Sequence, residues 1–385
     1  MSDKEQLRPF LYLRENIGRL NFVCPPSCAA EYQAVLAKML TRLDAFFAAN
    51  DLYTVVDYQA IVDNLLNQEN FRFGLSYSAK DLPKFSFPEQ TIQMPVTHFG
   101  QGTTTESELC HEFIHFLTTQ AELQYRSRGV EHRRQTALTP DNHWQINEQA
   151  QAPNDLPVTS TVNFPLLPGF LKEGFTEFLK TYIYPPAECD YSYEPQIAMV
   201  RYINRITDGK KNWLDFLRGN WEHLGQCLGA EKFREFQVAC DQYQQQFIAE
   251  ENQIDGNQTT EYANDPRYLR IQDIVTRQVL RNVIDHPQQY NEEAYRHLAN
   301  SIIWHAPASA DGNIQPEQYQ PELLSAAKAL ASAKIGDRAA QEKYYRNLQD
   351  FLAQTGKSAK QSTRTSHEII LPSTATPTPE PGRER

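Results

Sequence analysis

The chain lacks three features that mark large classes of protein. It has no run of about eighteen apolar residues, so we expect no transmembrane helix. Its six cysteines are few for 385 residues, and the spacing of Cys24 and Cys28 is not that of a redox or zinc pair, so we expect reduced thiols. Positive charge is also scarce, since the net charge is −11. Because phosphate binding needs a basic face, we expect neither nucleic acid nor a membrane as a partner.

The segment MSDKEQLRPFLYLREN at residues 1–16 contains no basic stretch followed by an apolar one. This pattern indicates no secretory signal, so the expected location is cytoplasmic by default, with export by a leaderless route as the alternative. Hydrophobic residues make up 40% of the chain and charged residues 22%. These fractions are ordinary for a globular protein, and the length predicts two domains or one enlarged domain.

Hydrophobic periodicity and composition divide the chain into five regions. The first combines helical patterns such as AAEYQAVLAKMLTRLDAFFAAN with strand-like segments, FRFGLSYS and QTIQMPVTHF. The second is polar and rich in Pro, Asn and Gln, which indicates a long connection or lid with a candidate short hairpin around VTSTVNF. The predicted regions are an N-terminal α/β lobe (1–125), the connection (126–168), a helical lobe (169–251), a further helical region (266–353) and a disordered tail (354–385).

The stretch LCHEFIHFL at Leu109–Leu117 carries the strongest chemical signal. His111 and His115 are four residues apart, so on a helix their side chains share one face at a separation of about 6 Å. This H-E-x-x-H spacing allows both imidazoles to bind one zinc ion. Glu112 is rotated by about 100°, so it can act as a general base on the water that the metal activates. Burying two unpaired imidazoles and a carboxylate in a plain core helix would be costly, which favours a metal site.

The helix that carries this motif has its own start signal and needs a third ligand from elsewhere. Thr105 and Glu108 match a capping box, which predicts that the helix begins with Thr105 as its N-cap. Downstream, LKEGFTEFL places Glu173 and Glu177 four residues apart on one helical face. One of them can bind zinc while the other hydrogen-bonds the remaining N–H of a ligand histidine.

The pair HEFIH and KEGFTEF resembles the gluzincin clan of zinc metallopeptidases, which includes thermolysin and the thermolysin-like aminopeptidases. Two departures stand out: residues 116–172 form a far longer link than in thermolysin, and Lys172 replaces the usual Asn. In this clan a strand runs beside the catalytic helix, and TIQMPVTHF is its expected counterpart, an edge that can pair with an extended peptide. The resemblance implies one Zn²⁺ per chain with His111, His115 and Glu173 as ligands, Glu112 as the base and Glu177 as the hydrogen-bond partner of His111.

Sites of this kind usually need a group that donates a hydrogen bond to the developing oxyanion. Tyr193 is the first candidate, and Tyr184, Tyr191 and His223 are alternatives. We therefore expect an α+β fold with a zincin-like metallopeptidase core, a small N-terminal mixed sheet and a largely helical C-terminal half. The expected activity is hydrolysis of peptide or protein substrates. Two alternatives remain open: an inactive or structural zinc-binding module that acts through its helical lobe, and a zinc hydrolase of a non-peptide amide or ester.

Overall fold

The computed structural model describes residues 7–67, 71–78, 81–86, 89–127, 133–138, 144–151, 157–164, 169–185, 193–251, 262, 265–306 and 315–362. The fold is α+β, because helices dominate and the first sheet is a small mixed one of four strands. The helices are α1 (Pro9–Glu15), α2 (Pro26–Ala49), α3 (Tyr58–Asn67), α4 (Thr103–Ser127), α5 (Gly169–Ile183), α6 (Glu194–Ile206), α7 (Gly209–Leu217), α8 (Glu222–Leu228), α9 (Ala230–Glu251), α10 (Pro266–Asp285), α11 (Glu292–Trp304), α12 (Gln320–Lys334) and α13 (Arg338–Ser362). The strands are β1 (Phe22–Val23), β2 (Arg72–Ser76), β3 (Lys84–Ser86), β4 (Thr91–Pro95), β5 (Arg133–Leu138), β6 (Trp144–Gln151) and β7 (Pro157–Phe164).

The first sheet has the strand order β1-β2-β4-β3. β1, β2 and β4 run parallel, with Phe73 of β2 paired with Ile92 of β4, and β3 runs antiparallel to β4. All residues of β2 after Arg72 are buried, as expected for a central strand that is covered on both faces. The prediction that TIQMPVTHF supplies the sheet edge is wrong. Its strand, β4, lies between β2 and β3 because the short β3, which has no clear sequence pattern, occupies the edge.

The motif helix α4 begins three residues earlier than the capping box predicts, at Thr103 instead of the residue after Thr105. Gly102 precedes it with a φ of +65°, a left-handed conformation that favours glycine, and this turn lets the helix begin at Thr103. Thr105 is therefore not the N-cap, and its hydroxyl donates to the carbonyl of His98 instead. Glu108 does not reach back to Thr105 either, since its carboxylate lies 2.6 Å from Nδ1 of His98. These contacts tie the start of α4 to the turn that follows β4.

Aromatic packing holds α4 against the sheet. The centroid of the Phe116 ring lies 4.9 Å from that of the Phe71 ring and 5.9 Å from that of the Phe85 ring. Phe113 and Phe116 are fully buried. The apolar residues of the motif thus anchor one face of α4 to the sheet, which leaves the histidine face free to meet another helix.

A second sheet occupies part of the region predicted as a connection or lid. β5, β6 and β7 pair antiparallel in sequence order. The region of the candidate hairpin around VTSTVNF thus carries three strands, of which β7 contains that sequence. RRQTAL and WQINEQAQ, the sequences of β5 and β6, contain one β-branched residue each and are mostly polar, so they lack the composition that usually marks a strand.

The chain divides into two compact units, residues 1–282 and 283–385. The second unit contains α11, α12 and α13, in which small and aliphatic side chains of α12 are buried and the Tyr295 hydroxyl donates to the Leu323 carbonyl at 2.7 Å. α13 extends to Ser362, so the helical region passes the boundary predicted at 353–354, and residues 363–385 lie outside the described part of the chain. Among the described residues, no helix combines the length and the apolarity that crossing a membrane requires.

Candidate metal centre

Three predicted ligands from two helices meet at one point. His111 and His115 lie on α4 and Glu173 lies on α5. Nε2 of His111 is 3.0 Å from Nε2 of His115 and also 3.0 Å from Oε2 of Glu173. The distance from Oε2 of Glu173 to Nε2 of His115 is 3.2 Å. Tetrahedral ligands with bonds of about 2.0–2.1 Å to a metal are separated by roughly 3.3 Å, so the donor set fits a metal ion. This group of residues could hold a metal.

A close helix contact positions the third ligand. Gly174 follows Glu173 on α5, and a Cβ at Gly174 would lie only 2.6 Å from the carbonyl oxygen of Gln196 on α6. Only glycine allows α6 to approach α5 so closely at this level. The glycine of KEGFTEF is therefore required by packing, and it brings the beginning of α6 next to the ligands.

Both ligand histidines have a second partner on α5. Nδ1 of His111 is 2.8 Å from Oε2 of Glu177, the partner that the resemblance to gluzincins implies. Nδ1 of His115 is 3.4 Å from the hydroxyl of Thr176. Such contacts fix the ring orientation and direct Nε2 toward the metal position. Sequence analysis missed Thr176, although it lies three residues after Glu173 and so shares the ligand face of α5.

Glu112 is buried on α4 and lies against the edge strand. Its Oε2 accepts a hydrogen bond of 2.6 Å from the backbone N–H of Phe85 in β3. The predicted general base thus lies where the edge strand β3 meets the motif helix. The Phe85 amide was not foreseen, since β3 is not apparent in the sequence.

Tyr193 contacts a ligand histidine directly. It occupies the N-cap position of α6 with a φ of +63°, and its ring stacks on that of His111 with centroids 5.6 Å apart and planes 17° apart. A left-handed conformation at a residue other than glycine is uncommon and concentrates at functional sites.

The alternatives to Tyr193 lie in other surroundings or outside the description. Tyr184 is buried, with the Arg42 guanidinium 4.9 Å from its ring centroid. Nε2 of His223 on α8 is 3.5 Å from the Cys227 thiol. Tyr191 lies outside the described residues. Among the described candidates, Tyr193 is the one that contacts a histidine of the centre.

The ligands form a strongly coupled ionic cluster. Burial lowers the pKa of His111, but hydrogen bonds to Glu173 and Glu177 outweigh it and raise that pKa to about 10. Burial raises the pKa of Glu173, yet the charge of His115 and the hydrogen bonds from both histidines hold this pKa well below its usual range. Burial likewise acts against the ionised form of Glu177, and His111 and Lys180 lower its pKa overall. A cation bound here would replace the proton of His111.

The cluster is open to solvent on one side. The side chains of Glu173 and His115 are 24% and 15% exposed, whereas those of His111 and Glu177 are 8% and 0% exposed. Within the part of the chain that the structure describes, this is the only group of three or more metal-ligating side chains. Three protein ligands with an accessible side are typical of catalytic zinc sites, whereas structural sites close the shell with four.

No protein-family model, curated protein or solved structure matches the chain.

Proposed function

We propose that the protein is a zinc-dependent metallopeptidase of the gluzincin type, in which Glu112 assists the attack of water on a peptide bond. The convergence of His111, His115 and Glu173 within 3.0–3.2 Å carries the proposal. Two imidazoles and one carboxylate are the donor set of thermolysin-type catalytic zinc. The arrangement of α4, α5 and the mixed sheet supports the further proposal of a zincin-like core.

A catalytic centre explains features that a structural zinc site does not require. The donor group has three members and stays partly exposed at Glu173 and His115, which leaves room for water and substrate. A structural site also has no use for a base, yet Glu112 follows the first ligand histidine directly and lies close enough to contribute to its pKa.

Each residue of the centre has a distinct part in hydrolysis. Bound zinc supplies Lewis acidity, which polarises a carbonyl and makes water easier to deprotonate. Glu112 takes the proton from the attacking water and passes it to the leaving amine, while Glu177 and Thr176 hold the histidine rings in orientation. Tyr193 is the proposed donor to the oxyanion of the carbonyl under attack.

The outer edge of β3 is the proposed binding surface for an extended peptide. The Phe85 N–H points toward Glu112, and in an antiparallel edge strand such outward groups can pair with an added strand. A peptide carbonyl that takes this hydrogen bond would free the Glu112 carboxylate and lie next to it. This supports a peptide or protein substrate more specifically than a small amide or ester.

Metal analysis combined with Glu112→Gln tests this function. We expect about one zinc per chain in both the wild type and the variant, with hydrolysis of a broad peptide library, followed by mass spectrometry, reduced about 100- to 10,000-fold in the variant. Glu108→Gln is the matched control, because Glu108 lies on the same helix but contacts His98 and not the metal-ligand cluster. This variant should retain the activity of the wild type.

The possible failures have separate meanings. A purified wild type that neither contains nor takes up zinc would contradict the metal centre. Zinc without cleavage of any peptide would favour a structural module, and cleavage of only esters or small amides would favour the non-peptide hydrolase.

A further inference from the structure

A lysine lies buried behind the metal centre. Lys180 is on α5, three residues after Glu177, and its Nζ is 2.6 Å from Oε1 of Glu177. The two side chains are only 4% and 0% exposed. Lysine is almost never fully buried unless it is paired, and a charged pair without solvent loses much of its hydration energy. The position of this pair therefore needs an explanation.

The two oxygens of the Glu177 carboxylate face different partners. Oε1 contacts the Lys180 ammonium and Oε2 contacts Nδ1 of His111. Nε2 of His111 belongs to the donor cluster with His115 and Glu173. A continuous chain of polar contacts thus runs from Lys180 through Glu177 to the metal ligand His111.

We propose that Lys180 is a positioning residue of the metal centre, which acts through Glu177 to orient His111 for metal binding. The inference rests on the proposed metal centre. With Oε1 fixed by the ammonium, the carboxylate cannot rotate away, and Oε2 stays directed at Nδ1 of His111. The Nδ1–H tautomer is then the stable one, which leaves Nε2 free to bind a metal.

Charge balance supports the same role. The carboxylates of Glu112, Glu173 and Glu177 carry three negative charges when ionised. A divalent cation and the Lys180 ammonium together balance them. Without Lys180 the loaded centre would keep an uncompensated charge next to a fully buried carboxylate, which is costly in a poorly solvated environment.

A double-mutant cycle on metal affinity tests the proposal. Zinc dissociation constants of the full-length protein are measured by competition with a chromophoric chelator for the wild type, Lys180→Met, Glu177→Gln and the double variant. We expect each single variant to weaken zinc binding about 10- to 100-fold, as loss of a partner behind a ligand does. Because Lys180 acts through Glu177, Lys180→Met should cause little further loss in the Glu177→Gln background.

Conservative and control variants separate positioning from folding. Lys180→Arg should recover most of the affinity, and Lys180→Gln should give an intermediate value. Lys232→Met removes a comparable Lys–Glu pair three residues apart, at 2.7 Å but exposed on α9, and should bind zinc like the wild type. The visible spectrum of the Co²⁺-loaded protein should change in Lys180→Met and return toward that of the wild type in Lys180→Arg.

Three results would overturn the proposal. One is a zinc affinity equal to that of the wild type in folded Lys180→Met or Lys180→Gln. Another is a loss of zinc affinity from Lys180→Met that is as large in the Glu177→Gln background as in the wild type. The third is failure of both neutral variants to fold, which would make the role structural. In each case stoichiometric zinc binding by the wild type would leave the metal centre itself standing, whereas a wild type that binds no zinc would refute the proposed function.

Discussion

At the scale of the residue, each histidine of the centre is held by two groups. Nε2 of His111 and of His115 face Glu173, while their Nδ1 atoms face Glu177 and Thr176. All three partners come from α5, so one helix supplies both the third candidate ligand and the groups that orient the two histidines. The two glutamates of KEGFTEF therefore have different tasks, although they are identical in chemistry and four residues apart.

This difference predicts unequal effects of two substitutions. Glu177→Ala should weaken zinc binding about 10- to 100-fold, since it removes only an orienting partner. Glu173→Ala should weaken it much more, because it removes a ligand. Isothermal titration of the metal-free variants with zinc gives both affinities, and stronger binding by Glu173→Ala than by Glu177→Ala would show that the ligand assignment is reversed.

At the scale of the element, the geometry of the centre depends on how closely α6 approaches α5. Gly174 permits that approach at the level of Gln196, and Tyr193 at the start of α6 then stacks on His111. The left-handed conformation of Tyr193 is maintained by this packing rather than by its own preference. A change at the helix contact is therefore expected to reach the candidate metal centre.

Gly174→Ala tests the helix contact. Its Cβ would meet the Gln196 carbonyl at 2.6 Å, so we expect a loss of about 1–3 kcal/mol in the free energy of unfolding from overpacking. Urea denaturation measures this loss, and the proposed peptidase activity should fall with it as Tyr193 shifts. Gly225→Ala on α8 is the control, since nothing lies within 4 Å of its Cβ. It should keep its activity and stay as stable or gain up to about 1 kcal/mol from helix propensity. A Gly174→Ala variant as stable as that control would contradict the contact.

At the scale of the whole molecule, the ionic cluster links stability to pH. The pKa of His111 rises from 6.5 to about 10 on folding without metal. Its contribution is complete below about pH 6.5 and is lost as pH rises toward 10. The pKa values of Glu173 and Glu177 are lowered from 4.5, so their contribution is present above about pH 4.5 and is lost as pH falls.

The metal-free protein should accordingly gain most from this cluster between about pH 4.5 and 6.5. Zinc competes with the His111 proton, so the stabilisation that zinc adds should grow as pH rises. Thermal unfolding from pH 4 to 9, with a chelator and with zinc, measures both trends. His111→Gln is the reference for the other titrating groups of the chain. If the metal-free wild type and His111→Gln lost stability in parallel above pH 6.5, the assigned pKa shift would be wrong.

The sequence by itself determined what lies within one helix. The spacing of His111 and His115, the position of Glu112 and the shared face of Glu173 and Glu177 follow from 3.6 residues per turn. The amphipathic α2 follows from the same period, and five of its apolar residues at three- and four-residue steps are buried as that pattern predicts: Tyr32, Leu36, Met39, Leu40 and Leu43. Val35 and Phe46 continue the same pattern but are only half-buried, and Phe47 is buried in place of Phe46.

Tertiary structure decided what depends on contacts between distant segments. It placed β3 rather than β4 at the sheet edge, moved the start of α4 away from Thr105 and buried Lys180 behind Glu177. These features arise from packing between elements far apart in the chain, which side-chain periodicity within one element does not encode. The chemistry of the centre is therefore local in origin, and its orientation and electrostatics are set by the fold.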